Sequence, residues 1–194
     1  MVKVLQPDLI INGNIRRKRF EKVPLGSNTV SVIENSSVPV LAIPQDVDFS
    51  PPKKIVYATD YNESALDDLK ELATLAECFD SEILVVHITE KKLEEEEEEE
   101  EDTSRRKSFI DFVQKNVFYP KISYRVTENV SIQIGIKLFV EKENADILAI
   151  ATKKRNQFQK LISKSLTKGF VSGITLPDLA FHVTQKKESI SINE

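Results

Sequence analysis

The stretch KIVYATDYNESALDDLKELATLAECFDSEILVVHITE, residues 54–90, decides the fold. Lys54 to Thr59 form an apolar run suited to a buried strand. Ser64 with Asp67 offers a capping signal, after which Leu66, Leu69, Leu72, Ala73 and Ala76 lay out a helical stripe. Glu82 to Ile88 then form a second buried strand. Strands and helices that alternate in this way are what a parallel sheet requires.

The alternation continues downstream. Phe109, Phe112 and Val113 fit one helix face, and Ile122, Tyr124 and Val126 alternate as a strand. The next segment carries two patterns: Val130, Ile132, Ile134 and Ile136 alternate like a strand, whereas Ile132, Ile136, Phe139 and Val140 suit a helix. Topology favours a helix from about Ile132, because parallel strands ending at Val126 and beginning at Asp146 need a crossover between them. A strand at Asp146 to Ala151, a basic loop to Lys164, a helix from Ser165 and a strand at Asp178 to Val183 close the unit. Right-handed crossovers then predict the strand order third, second, first, fourth, fifth, with 54–59 in the centre.

The closing unit has a counterpart at the start of the chain. Asp8, Arg17, Phe20, Lys22, Ser27, Thr29, Pro39, Leu41 and Ala42 match Asp146, Arg155, Phe158, Lys160, Ser165, Thr167, Pro177, Leu179 and Ala180, each pair 138 positions apart. A constant offset marks one inherited unit: a strand at Asp8 to Asn12, a loop to Gly26, a helix from Ser27 and a strand at Val40 to Pro44. The expected organisation is a C-terminal remnant of a first domain at 1–44, a linker at 45–52, a complete domain at 53–183 and a polar tail at 184–194. Ser27 and Ser165 stand where an N-cap belongs.

Of the 194 residues, 40% are apolar and 30% charged, enough to bury one core and part of a second. No apolar run approaches the roughly 18 residues that span a bilayer, and the N-terminus lacks a secretory pattern, so a cytoplasmic location is expected. The one cysteine, Cys78, excludes an internal disulfide framework and reads as a small core or boundary residue. Nine acidic residues at 94–102 dominate the charge, and without them the net −4 becomes +5. Such a run repels itself and reads as a solvated, disordered or frayed helical insertion, with an electrostatic lid over a basic loop as the sharper alternative.

The segments IVYATDYNESALDDLKELATLAE (55–77), ILVVHITE (83–90) and GNIRRKRFEKVPLGSNTVSVIENSSVPVLAIP (13–44) together resemble the universal stress protein family. The resemblance implies a tandem member made of one complete domain and the C-terminal third of another. The implied fold is an α/β, Rossmann-like five-stranded parallel sheet with helices on both faces, preceded by a partial βαβ unit. In members that bind ATP, the nucleotide lies at the carboxyl ends of the strands.

The family's nucleotide loop runs glycine, two residues, glycine, nine residues, glycine, then Ser or Thr. Side chains must be absent where backbone approaches phosphate, and helix-start amides then donate to the anion. In the first copy Gly13, Gly26 and Ser27 keep this pattern, while Arg16 replaces the middle glycine. In the complete domain the positions are Ala151, Lys154, Lys164 and Ser165, and only the serine survives. The aspartate used after the first strand is matched by Asp60, and the backbone at the end of the second strand by Ile88. Each half lacks what the other keeps, so a degenerate site is expected and no bound cofactor, with ATP as the alternative. Lys154 and Lys164 offer point charges to phosphate in that case, and Asp60 also suits a turn.

His87 and His182 lie in apolar strand patterns and read as structural imidazoles, without a Ser-His-Asp or His-Cys constellation beside them. No catalytic residue is assigned, and the chain is read as a non-enzyme. The basic loops Arg16–Arg19 and Lys153–Arg155 precede Phe20 and Phe158, a pattern better explained by anchored surface loops than by nucleic acid. The leading reading is a regulatory or interaction protein of the stress response that self-associates and binds an unknown protein partner. The runner-up is an adenine-nucleotide sensor. The resemblance also implies association through final strands, here Val40–Ile43 with Leu179–Val183.

Overall fold

The computed structural model describes residues 7–13, 27–44, 47–48, 50–62, 64–90, 96–152 and 176–182. In chain order the elements are β1 (Ile10–Gly13), α1 (Ser27–Asn35), β2 (Val40–Ile43), β3 (Lys54–Ala58), α2 (Ala65–Phe79), β4 (Glu82–Glu90), α3 (Glu96–Asn116), β5 (Ile122–Asn129), α4 (Ile132–Glu143), β6 (Ile147–Thr152) and β7 (Asp178–His182). All seven strands join one sheet in the order β1-β2-β7-β6-β3-β4-β5. From β5 to β7 every neighbouring pair is parallel and β3 is central, the predicted third, second, first, fourth, fifth order.

The sheet is seven-stranded, not five-stranded. β2 pairs antiparallel with β7, through Val40↔Ala180, Leu41↔Leu179 and Ala42↔Asp178, and β1 pairs parallel with β2. Leu41 and Leu179 are the 138-spaced equivalents of each other and face directly, so a local pseudo-two-fold passes between them. Ile10 opposite Val40 repeats as Leu148 opposite Asp178. Even single hydrogen bonds recur: Ile10 N donates to Pro39 O at 2.9 Å, and Leu148 N to Pro177 O at 3.0 Å.

Two helical layers cover the sheet. On one face, α2 and α3 bury Leu66, Leu69, Leu72, Ala76, Phe109 and Val113 against Ile55, Tyr57, Ile83, Val85, Leu179 and Phe181. On the other, α4 packs Ile136, Phe139 and Val140 on Val56, Leu84, Val86 and Leu148, while Ile33 of α1 packs on Val40, Ala42 and Ala180. Burying a side chain such as Leu69 or Val56 contributes roughly 1.5–3 kcal/mol each, so this central β3–β4–β6 block is the main store of stability. Phe112, expected on the buried face of α3, is 53% exposed, and Cys78 of α2 is also exposed.

The helix ends show how the chain is punctuated. Ser64 makes no side-chain cap; Asn62 takes that role, its Oδ1 accepting from Ser64 N at 2.9 Å and from Ser64 Oγ. α4 is capped by Ser131, whose Oγ accepts from Ile134 N at 3.3 Å. α2 and α4 end on left-handed residues, Asp80 with φ 58° and Asn144 with φ 51°, the short polar side chains that tolerate this conformation best after glycine. The acidic run is helical from Glu96 onward, continuous with the rest of α3.

One buried polar pair interrupts the apolar core. The Tyr57 hydroxyl donates to Asp68 Oδ2 at 2.9 Å. Burial pushes the Asp68 carboxyl up to about 7, against the help of that hydrogen bond, and burial likewise raises the Tyr57 hydroxyl. A second carboxyl, Asp178 at the β2–β7 seam, has a buried Oδ1 with no donor among the described residues, and burial lifts it to about 7.

Candidate functional site

The carboxyl ends of β3, β4 and β6 lie side by side, with β3 in the middle. Asp60, Ile88 and Ala151 are brought to this end of the sheet by that parallel pairing. Thr59 N continues the ladder to Val86 O at 3.0 Å, and the chain then turns sharply through Tyr61, whose φ is 57°. The turn is closed by Tyr61 N donating to Thr59 Oγ1 at 3.0 Å, and by Asn62 Nδ2 donating to Asp60 Oδ1. Asp60 is thus an exposed turn residue with one carboxylate oxygen engaged by its own loop.

The positive φ at Tyr61 carries its ring onto the end of β4. It stacks on the His87 imidazole with centroids 4.4 Å apart and planes 23° from parallel, and it leans on Phe109 of α3 at 5.1 Å. His87 has an acceptor at each ring nitrogen: Thr59 O is 2.8 Å from Nδ1, and Asp102 Oδ1 is 3.5 Å from Nε2. A neutral imidazole has one N–H and donates to one of them, whereas the imidazolium donates to both. Arg105 Nη2 also reaches Asp60 O at 3.4 Å. Burial first, and the Asp102 charge second, push the Tyr61 hydroxyl up to about 12.

α3 therefore crosses the carboxyl end of β3 and β4 and is tied there through Asp102 and Arg105. His87 fills the structural role expected of it, but its partners lie 28 positions back and 15 forward, too far for local pattern to announce them. Tyr61, Asp102 and Arg105 carry no motif, and the one signal for them was the acidic run itself. Ile88 lies beside them with its side chain buried on the α4 face, where Gly135 leaves room for it: a Cβ at Gly135 would lie 2.4 Å from Ile88 Cγ2.

Of the remaining loop positions, the described ones, Gly13 and Ser27, do not join this cluster. Lys154, Lys164, Ser165 and Gly26 lie outside the described residues. Gly13 closes β1 opposite Ile43, where a Cβ would meet none of the described residues within 4 Å, and Ser27 begins α1. Because β2 runs antiparallel to β7, the carboxyl end of β1 points away from the end that holds Asp60. The carboxyl ends of β1 and β6, after which the two loops begin, thus lie at opposite ends of the sheet. Among the described residues no group of three or more His, Cys, Asp or Glu side chains could hold a metal ion, and no helix is long and apolar enough to cross a membrane.

The model for the universal stress protein family matches residues 1–44 and 51–182. A universal stress protein from Archaeoglobus fulgidus DSM 4304 superposes with a TM-score of 0.64 at 16% identity, over 92% of this chain and 62% of its own. A putative universal stress protein from Pseudomonas aeruginosa UCBPP-PA14 gives 0.62 at 16% identity, over 90% and 63%. The chain thus spans less than two thirds of the length of either. A universal stress protein from Archaeoglobus fulgidus in complex with dAMP gives 0.51 at 16% identity, over 68% of this chain and 99% of its own. No curated protein sequence matches the chain.

Proposed function

The chain belongs to the universal stress protein family, and from that membership we propose that it is a non-enzymatic regulatory protein of the stress response whose adenine-nucleotide site is degenerate. In this reading residues 53–183 form a complete domain, and residues 1–44 are the closing strand-helix-strand unit of a second copy, joined to it through β2 and β7. The 138-residue offset and the identical registers in both units support that organisation. Its role is exercised through association with itself and with protein partners.

The observation that carries the degenerate site is the contact of Asp102 with His87 beside Asp60. It brings an acidic helix onto the strand ends where a nucleotide phosphate would need positive charge or bare amides. Ala151, Lys154 and Lys164, standing where the family has glycine, add side chains to the same loop. The alternative is an adenine-nucleotide sensor, favoured by the placement of Asp60 at the strand end and by the dAMP complex of a structural relative. Equilibrium titration with a labelled ATP separates the two: the proposal expects affinity no tighter than about 1 mM, equivalent to roughly −4 kcal/mol. Micromolar binding would replace it with the sensor reading.

A further inference from the structure

The chain pairs its own β2 with β7, so association between copies through a strand needs another edge, and β5 is the longer of the two strands that end the sheet. Ile83 N donates to Lys121 O at 2.8 Å, and in a parallel ladder successive residues turn their backbone groups to alternate sides. Ser123, Arg125 and Thr127 therefore direct theirs at β4. Those of Ile122, Tyr124, Val126 and Glu128 point outward, where no described strand lies beside them. Tyr124 O accepts instead from the Arg125 side chain, with Nη1 at 2.9 Å. Beside the amino half of β5 lies an open groove of about 430 Å³, whose lining includes Val113, Val117, Phe118, Pro120, Ile122 and Tyr124. Of these, Phe118 is 91% exposed, and at the opposite tip of the strand Val130 is 75% exposed.

We infer that two copies of this chain join β5 to β5, antiparallel about a two-fold axis at Val126, so that Val130 of each copy enters the apolar groove of the other. The groove lies at the amino end of the strand and Val130 at its carboxyl tip, so antiparallel pairing mates them twice. In this register Val126 faces Val126, Ile122 faces Val130 and Tyr124 faces Glu128. Burial pushes the Tyr124 hydroxyl up to about 12, which leaves it a proton to donate to the Glu128 carboxylate. Arg125 faces Thr127, and no like charges stand directly opposite each other. Sliding one copy by two residues sets Arg125 against Arg125 in one direction and Val126 against Glu128 in the other, both poorer pairs. Val130 N is already held by Asn129 Oδ1 at 2.9 Å, so the ladder ends at Glu128 and Val130 contributes its side chain. The contact is isologous and closes on itself, whereas β5 set against the β1 of another copy would continue into a chain of copies. The inference rests on the self-association proposed above and locates it. The nucleotide titration that tests the degenerate site leaves it untouched, so the two can fail separately.

Sedimentation equilibrium of the full chain tests the inference. A ladder of this length makes a small interface, so a dimer with a dissociation constant of roughly 1–100 μM is expected. Val126→Lys sets two ammonium groups face to face on the axis, and Val130→Asp puts a carboxylate where the groove takes an apolar side chain. Each should weaken dimerisation by about tenfold or more, with the circular dichroism of the natural chain retained. Hydrogen exchange gives a second readout that needs no variant. Between about 1 and 300 μM protein the outward amides of Tyr124, Val126 and Glu128 should slow severalfold, while those of Arg125 and Thr127, already bonded to β4, should not change. A monomer at about 300 μM, a dimer that either folded variant leaves intact, or outward amides indifferent to concentration would each overturn the inference. So would species that keep growing beyond a dimer, which would make the β1 edge of another copy the occupant.

Discussion

Replacing Asp178 by Asn should flatten much of the pH dependence of this protein's stability. The carboxyl sits at the seam between β2 and β7, opposite Ala42, and its 138-spaced equivalent is Val40, which is 1% exposed in the apolar cluster under α1. Burial lifts Asp178 from 3.8 to about 7. In the unfolded chain it ionises near its ordinary value, so between about pH 4 and pH 7 the folded state holds a proton that the unfolded state has released. Stability therefore falls as pH rises through that window, the opposite of a salt-bridged aspartate, and the loss levels off above the folded value. Three pKa units correspond to roughly 4 kcal/mol across the whole window, of which about 2 kcal/mol falls between pH 5 and pH 7. Asp68 shifts in the same direction and by a similar amount, so the natural chain should lose stability from both groups. Urea unfolding of the natural chain and of Asp178→Asn at pH 5 and pH 7 reads the difference. The variant should retain only about half of the natural pH slope, and Asp178→Val should share its flatter profile. A slope identical in natural chain and variant would refute the claim that burial raises the Asp178 carboxyl to about 7.

Two further substitutions test the core and the strand end. Tyr57→Phe removes the hydroxyl that Asp68 accepts from at 2.9 Å, and an unsatisfied buried acceptor should cost about 1–3 kcal/mol in chemical denaturation, more above neutral pH than below. Gly135→Ala places a methyl 2.4 Å from Ile88 Cγ2; despite a gain of about 1 kcal/mol in helix propensity, overpacking of about 1–3 kcal/mol should leave the variant neutral or less stable, and a clear rise in its thermal midpoint would contradict the close packing of α4 on β4.

The legible parts of this fold were those dictated by burial on both faces and by chain reversal. β3 and β4 are continuous apolar runs because they lie centrally, and no competing pattern overlaps them. The segment from Val130 to Val140 carries two periodicities, and topology decides between them: parallel neighbours need a crossover, and Ser131 supplies its cap. The seven-stranded sheet was the less legible feature. The resemblance named the strands that meet at the seam, while the sheet count depended on β2 and β7 sharing a ladder. At the strand ends, the family pattern points to Asp60 and Ile88, whereas the Tyr61–His87 stack depends on a single left-handed turn and on α3 crossing from 15 residues away. Such contacts leave no local trace. Phe112 and Cys78 were misread because a helical stripe gives the buried direction only to within a neighbouring position.

The central claim is that altered loop residues and an acidic helix, not a lost fold, keep the nucleotide out. Isothermal titration of ATP into the natural chain and into the Ala151→Gly, Lys154→Gly, Lys164→Gly variant tests it most directly. The account predicts binding of the natural chain no tighter than about 1 mM and at least a tenfold gain in the variant, worth roughly 1.4 kcal/mol. Micromolar binding by the natural chain, unchanged or weakened by the three glycines, would contradict it.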